Sequence, residues 1–236
     1  MATYGFQAAP KGLKPVSRTG SALISPTVVR QFIDPVRTLS LGNGEVVQLG
    51  GDALTTDPAY YVPLPGYVNA RVASTLINPT PAQQLNAFGV VAAVRYFTPT
   101  FPGYYGGLFW VQGTRIAPGK AVEVDIINDP DVYYEIQTNS PIGLTLEDVG
   151  KYCNLENINF IDGSANGASG ITQGQSTAAL NITAGTFALP TAAAGGTYDV
   201  KIVGLSQRPK NFFGSITVPQ PYNYAIVRFN NRANQD

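Results

Sequence analysis

The sequence predicts an all-β protein, a small β-barrel or sandwich with appended hairpins and an extended N-terminal arm. Its 236 residues include 25 Gly and 18 Pro, which divide the chain into short segments that long helices tolerate badly. Many of the apolar segments are short, rich in β-branched and aromatic residues, and alternate with polar positions. Turn-forming residues separate these segments at short intervals, which is typical of barrels and sandwiches.

Two regions are predicted along the chain. Residues 1–37 contain prolines and little periodicity, so we expect an extended arm that becomes ordered on a partner. Residues 38–236 are predicted to form the all-β domain, with a possible internal boundary near residue 145. The predicted strands cover 45–49, 67–76, 87–97, 121–127, 132–138, 178–182, 197–204 and 222–230.

Turns and loops between these strands are predicted from Gly, Pro and Asn. A turn is expected at Asn43-Gly44, and Pro-rich or Gly-rich loops at 56–66, 98–107 and 163–174. The strands at 121–127 and 132–138 flank an Asp129-Pro130 turn, so we expect them to form a hairpin at the centre of the fold. Thr145 is expected to cap a one-turn helix.

Charge is sparse and unevenly distributed. Charged residues make up 13% of the chain and the net charge is zero, which favours association. Residues 1–37 carry +4, residues 120–162 carry −7 and residues 201–236 carry +4. This pattern predicts complementary contacts between subunits, or solvated faces that have no partner. Together with the abundant Tyr, this charge pattern leads us to expect a homo-oligomer, and a trimer in preference to a dimer.

The composition excludes several kinds of catalytic and metal site. The chain has no His and one Cys, so it cannot build a Ser-His-Asp triad, a Cys-His pair or a His-ligated metal site. Cys153 is expected to be a buried structural residue. Carboxylates at Asp125, Asp129, Asp131 and Glu135 could hold Ca²⁺, but their spacing is that of ordinary turns. We therefore expect no catalytic residue, cofactor or metal.

No apolar run is long enough to span a membrane, and the N-terminus does not have the pattern of a secretory signal. The basic residues are too dispersed to predict direct nucleic-acid binding. We expect neither a membrane nor a nucleic acid as partner.

An ordered series of motifs resembles a family of tailed-bacteriophage head proteins, the decoration or cement proteins encoded near the major capsid protein. The most specific motif is the Asp-Pro-x-Val-x-aromatic-Glu-Ile-Gln signature at 129–137. The other matching segments are 4–6, 14–16, 19–21, 44–47, 89–97, 167–170, 201–205, 211–214 and 227–230.

This resemblance implies a non-enzymatic virion protein, assembled in the host cytoplasm, on the outer surface of a phage head. It would stabilise the shell by bridging subunits of the major capsid protein. The candidate partner-binding residues are Phe6, Lys11, Lys14, Arg18, Arg30, Arg37, Tyr104 and Tyr105. Two alternatives stay open: a carbohydrate-binding fibre or adhesion module using the Tyr-rich loop 98–107, and a virion enzyme using the acidic residues of the predicted hairpin.

Overall fold

The protein is all-β. The computed structural model describes residues 12–18, 26–33, 41–49, 67–70, 89–107, 109–110, 114–118, 120, 122–139, 141–156, 178–182, 198–207 and 221–230. Their strands are β1 (Lys14–Arg18), β2 (Val28–Ile33), β3 (Leu41–Gly42), β4 (Val46–Leu49), β5 (Tyr67–Ala70), β6 (Gly89–Thr98), β7 (Phe101–Gly107), β8 (Phe109–Trp110), β9 (Val122–Ile127), β10 (Val132–Gln137), β11 (Tyr152–Glu156), β12 (Ala179–Asn181), β13 (Val200–Leu205) and β14 (Tyr224–Phe229). A 3-10 helix spans Leu146–Asp148 after Thr145, as predicted.

The first sheet closes into a ring. Its strand order is β4-β5-β2-β9-β6, and β6 also pairs with β4, which completes the circle. Every pairing in this ring is antiparallel except β2 with β5. Strand β7 extends the ring as a hairpin on β6. We call this ring the first barrel.

The second sheet curls in the same way. Its order is β10-β14-β13-β11-β12, with β1 lying on the other side of β10. The curl brings β12 back to the end of β10, where Thr138 and Leu180 form a parallel bridge. The backbone N–H of Asn139 also donates to the carbonyl of Leu180 at 3.0 Å. We call these five strands the second barrel.

The two barrels share one connectivity. Taken in chain order within each barrel, the first strand pairs antiparallel with the fifth and parallel with the third. The fourth strand pairs with the second and the fifth, and the second pairs with the third. Ten of the fourteen described strands therefore form two copies of one barrel arrangement in tandem.

Their registers also agree residue by residue. Each pair of the first barrel has a counterpart in the second. Val46–Val90 corresponds to Tyr152–Lys201; Val91–Ile126 to Ile202–Val227; Leu49–Val68 to Leu155–Leu180; and Ile33–Val68 to Thr138–Leu180. The fourth strand is irregular at the same point in both barrels, between Val91 and Ala93 and between Ile202 and Gly204.

The turn before the second strand repeats as well. Gly44 and Gly150 occupy the same place, with φ of 83° and 94°, a region that favours glycine. The Gly44 N–H donates to Val91 at 2.9 Å, and the Gly150 N–H donates to Ile202 at 2.8 Å. The turn predicted at Asn43-Gly44 is confirmed.

Each barrel has its own apolar interior. In the first, the interior cluster includes Val47, Val91, Val124, Ile126 and Trp110. In the second, the interior cluster includes Tyr134, Ile136, Leu180, Ile202, Val227 and Phe229.

The two interiors are joined by an apolar row on the first barrel. Val46, Val90 and Ile127 point away from its interior and belong to the core cluster of the second barrel. This row is thus the face by which the first barrel packs on the second.

The N-terminal segment differs from the predicted arm. Strands β1 and β2 lie within residues 1–37, and they pair with β10 and β9 of the same chain. The described residues of the segment, 12–18 and 26–33, contain these two strands, and one strand joins each of the two sheets. Among the described strands β1 pairs only with β10, so it is an edge strand, where Pro15 is tolerated.

The predicted hairpin at 121–138 is wrong. Strand β9 lies between β2 and β6, whereas β10 lies between β1 and β14 in the other sheet. Since each strand already has two neighbours, they cannot pair with each other. Residues 128–131 instead connect the barrels, so the change of barrel comes earlier in the chain than the predicted boundary near 145.

The Tyr-rich segment 98–107 is also not a loop. After a turn at 99–100 it forms β7, whose register pairs Tyr96 with Tyr105. Described strands overlap all eight predicted ones. The predicted loops at 56–66 and 163–174 lie outside the described residues.

Candidate partner-binding surface

The predicted partner-binding residues that the structure describes lie on strands of both sheets. Lys14 and Arg18 lie on β1, beside the second barrel, whereas Arg30, Tyr104 and Tyr105 lie on β2 and β7 of the first. Lys14 is exposed and sits opposite Glu135 in the β1–β10 register. Phe6, Lys11 and Arg37 lie outside the described residues.

Arg30 is engaged by carboxylates of its own chain. Its Nε donates to Asp125 Oδ1 at 3.0 Å, and its Nη1 lies 3.7 Å from Glu123 Oε2. Arg95, on β6, also donates two hydrogen bonds to the Asp125 carboxylate. Part of the predicted charge complementarity between the basic N-terminus and the acidic middle of the chain is therefore formed within one chain.

This cluster lowers the pKa of Asp125. Burial on its own would raise the pKa, but hydrogen bonds from Arg95 and Arg30 and their positive charges outweigh it. The carboxylate thus stays ionised and tied to two guanidinium groups. Such an arrangement fastens β2, β9 and β6 together and does not favour proton transfer.

The other acids of the predicted hairpin also have structural partners. Buried Asp129 accepts hydrogen bonds from the backbone N–H groups of Asp131 at 3.0 Å and Thr27 at 3.3 Å. It thereby fixes the connection between the barrels to the start of β2. Buried Glu135 accepts a hydrogen bond from the Ser206 hydroxyl. Within the described ranges, no three acidic or Cys residues converge in a way that could hold a metal ion.

Asp148 organises the turn before β11. Its carboxylate accepts hydrogen bonds from the Thr145 N–H at 2.8 Å and the Lys151 ammonium at 2.6 Å. Burial acts to raise the pKa of Asp148, but these hydrogen bonds and the Lys151 charge lower it below 3.8.

We expect stability to fall in acid partly through Asp148. Because its folded-state pKa is lowered, its contribution is complete above about pH 4, the unfolded value, and is lost as pH falls through the folded-state pKa. Asp148→Asn should lower the free energy of unfolding by about 1 kcal/mol at pH 7 and flatten this acid dependence. Urea denaturation across pH measures both effects. Glu147→Gln, at the exposed neighbour, is the control, and an equal loss there would contradict the assignment.

A row of aromatic and basic side chains crosses the outside of the second barrel. Tyr152 pairs with Lys201, and Lys201 pairs with Arg228, on three adjacent strands. Their chain neighbours Cys153, Val200 and Val227 are buried in the core, so the row lies on the opposite face. Arg228 is exposed, and Tyr152 and Lys201 are half-buried.

The row is ordered by its own contacts. The Tyr152 ring stacks on Tyr198 with centroids 6.5 Å apart, and Lys201 Nζ lies 5.3 Å from the Tyr152 centroid. Within the described part of the chain, neither Lys201 nor Arg228 makes an ion pair. Sequence reasoning missed this surface. The strand at 197–204 and the basic C-terminal segment were recognised, but nothing in the sequence placed Tyr152 beside them.

Three aliphatic side chains at and beside the 3-10 helix are exposed. Ile142, Leu146 and Val149 are 53%, 58% and 39% exposed. Exposed aliphatic side chains this close in sequence are further candidates for contact with another protein.

Comparison with known proteins gave no match among family models, curated proteins or solved structures. In the described ranges, no helix has the length and apolar character needed to cross a membrane.

Proposed function

We propose that the protein decorates the outside of a tailed-phage head and stabilises the shell by bridging major capsid protein subunits. The observation that carries the proposal is the ordered series of motifs, above all the 129–137 signature. In the fold this signature spans the connection between the barrels and the whole of β10. It therefore specifies the architecture: Asp129 holds the connection, and Tyr134 and Ile136 fill the second barrel.

Surface character supports a binding role. Several described positions carry aromatic, basic or exposed aliphatic side chains: the Tyr152–Lys201–Arg228 row, the exposed Ile142, Leu146 and Val149, and Lys14 on an edge strand. Tyr and Arg are enriched in protein interfaces, and an exposed edge strand can accept hydrogen bonds from another chain. Contacts of this kind, repeated over a shell, stabilise it by mass action without tight binding at each site.

The proposal includes self-association, as a trimer rather than a dimer, because one trimer can tie together three neighbouring capsomers. It places the protein on the virion surface after assembly in the host cytoplasm. It gives the protein no catalytic step.

Copy number and capsid binding test this function. Quantitative mass spectrometry of purified virions should find the protein at a copy number comparable to that of the major capsid protein. Purified protein should bind stripped capsids and raise their resistance to heat. A few copies per virion would favour the adhesion module or a virion enzyme, and absence from virions would overturn the proposal.

A further inference from the structure

We propose that the Tyr152–Lys201–Arg228 row is the surface by which one copy of this chain binds another. The inference extends the self-association in the proposed function by naming the contact surface.

The same three positions have opposite environments in the two barrels. Val46–Val90–Ile127 in the first barrel corresponds to Tyr152–Lys201–Arg228 in the second, since both rows join the second, fourth and fifth strands in the same register. Val46 and Val90 are fully buried and Ile127 is 4% exposed, because the second barrel covers them. In this arrangement, the row is the face on which one barrel receives another.

The residues of the second row suit a contact that can also be exposed to water. A permanent interface within one chain can be wholly aliphatic, whereas a face exposed before association must stay soluble. Tyr, Lys and Arg supply apolar contact area together with polar tips. The Tyr152–Tyr198 stack and the Lys201–Tyr152 contact hold this surface in one arrangement, which reduces the entropy lost on binding.

Charge complementarity points to a second copy as the occupant. Lys201 and Arg228 belong to the C-terminal segment 201–236, which carries +4. Neither makes an ion pair within the described residues. Several acids of residues 120–162 are engaged within the chain, whereas Asp131 and Glu147 in that segment are exposed. Arg30 is bound to Asp125 within the chain, so the second-barrel row is the better candidate for pairing between copies.

A protein partner is favoured over a nucleic acid. The chain has no net charge, which gives little long-range attraction for a polyanion. The corresponding row of the first barrel binds a protein module in this same chain.

The test compares two charge-reversed variants of the full chain by sedimentation velocity and native mass spectrometry. Arg228→Glu reverses the exposed charge of the row. Arg115→Glu makes the same change in net charge at an exposed residue that lies outside the row and outside the acidic segment 120–162. Wild type and control should self-associate equally, and the row variant should associate about tenfold more weakly or be monomeric. Circular dichroism checks that each variant is folded. If the row variant is unfolded, Tyr152→Ala is used in its place.

A monomeric wild type, or a row variant that associates like wild type, overturns the inference. A monomeric wild type whose row binds a single-stranded oligonucleotide would also overturn it, because the partner of the row would then be a nucleic acid. A monomer that still binds capsids would overturn the row and the self-association but leave the capsid function, whereas a self-associating protein that does not bind capsids would overturn only the capsid function.

Discussion

Replacing Gly89 with alanine should lower the stability of the protein by about 3 kcal/mol or prevent folding. A Cβ at this position would lie 2.4 Å from the Ile127 carbonyl oxygen and 2.5 Å from the Ile126 Cγ2 atom. Gly89 begins β6, and the neighbouring strand β9 cannot move away because β2 holds its other edge. Relief would require a shift of backbone at the centre of the first barrel.

Gly204→Ala is the matched control. Gly204 also lies on the fourth strand of its barrel, but a Cβ there meets no atom within 4 Å. We expect its free energy of unfolding to stay within about 0.5 kcal/mol of wild type. Urea denaturation of the two variants measures the difference. Similar losses in both would mean that loss of glycine flexibility, rather than the close approach of β9, determines the effect.

The strands were predictable where one face is buried and the other is not. On β9, Val122, Val124 and Ile126 are buried while Glu123 and Asp125 are half-buried, as the alternation in the sequence predicts. Period-two burial is a local property, so a short stretch of sequence reveals it.

Pairing could not be predicted in the same way. Strands β9 and β10 are adjacent in sequence and separated by a good turn, yet they belong to different barrels. The neighbours of β9 are β2 and β6. Asp125 on β9 accepts hydrogen bonds from Arg30 on β2, 95 residues earlier in the chain, and from Arg95 on β6, 30 residues earlier. Such long-range choices depend on ring closure, and the local sequence holds little information about it.

The repeat is hidden in the sequence because corresponding positions share burial more than identity. Gly44 and Gly150 are identical because both adopt a positive φ. Val91 and Ile202 are similar because both are interior. On the outward row the residues differ in character, since the first barrel's row is covered and the second's is exposed. Sequence comparison of the two halves therefore loses most of its signal at the surface.

The candidate binding residues were predicted from the basic N-terminal segment and the Tyr-rich segment 98–107, without knowledge of which charges pair within the chain. Arg30 is exposed but is bound to carboxylates on β9. Lys201 and Arg228 were counted only as part of a basic segment, yet they meet on adjacent strands. Net charge per segment predicts that charges will pair, but only the strand register shows which pairs form inside the chain.

Tyr134→Ala should lower the free energy of unfolding by about 3–5 kcal/mol, as expected for removing a fully buried aromatic side chain. The Tyr134 ring fills the second barrel and packs edge-on against Phe229, with centroids 5.5 Å apart. Tyr133→Ala, on the opposite face of β10 and half-buried, should lower it by about 1 kcal/mol or less. Comparable losses would contradict the assigned facing of this strand.

The same variant tests whether the barrels unfold together. Trp110 is the only tryptophan of the chain and is buried in the first barrel, so its fluorescence reports on that barrel alone. Because Val46, Val90 and Ile127 of the first barrel complete the core of the second, the two should melt in one transition. Tyr134→Ala should therefore shift the Trp110 fluorescence transition and the circular dichroism transition to the same lower urea concentration. An unchanged Trp110 transition would show that the apolar row does not couple the barrels energetically.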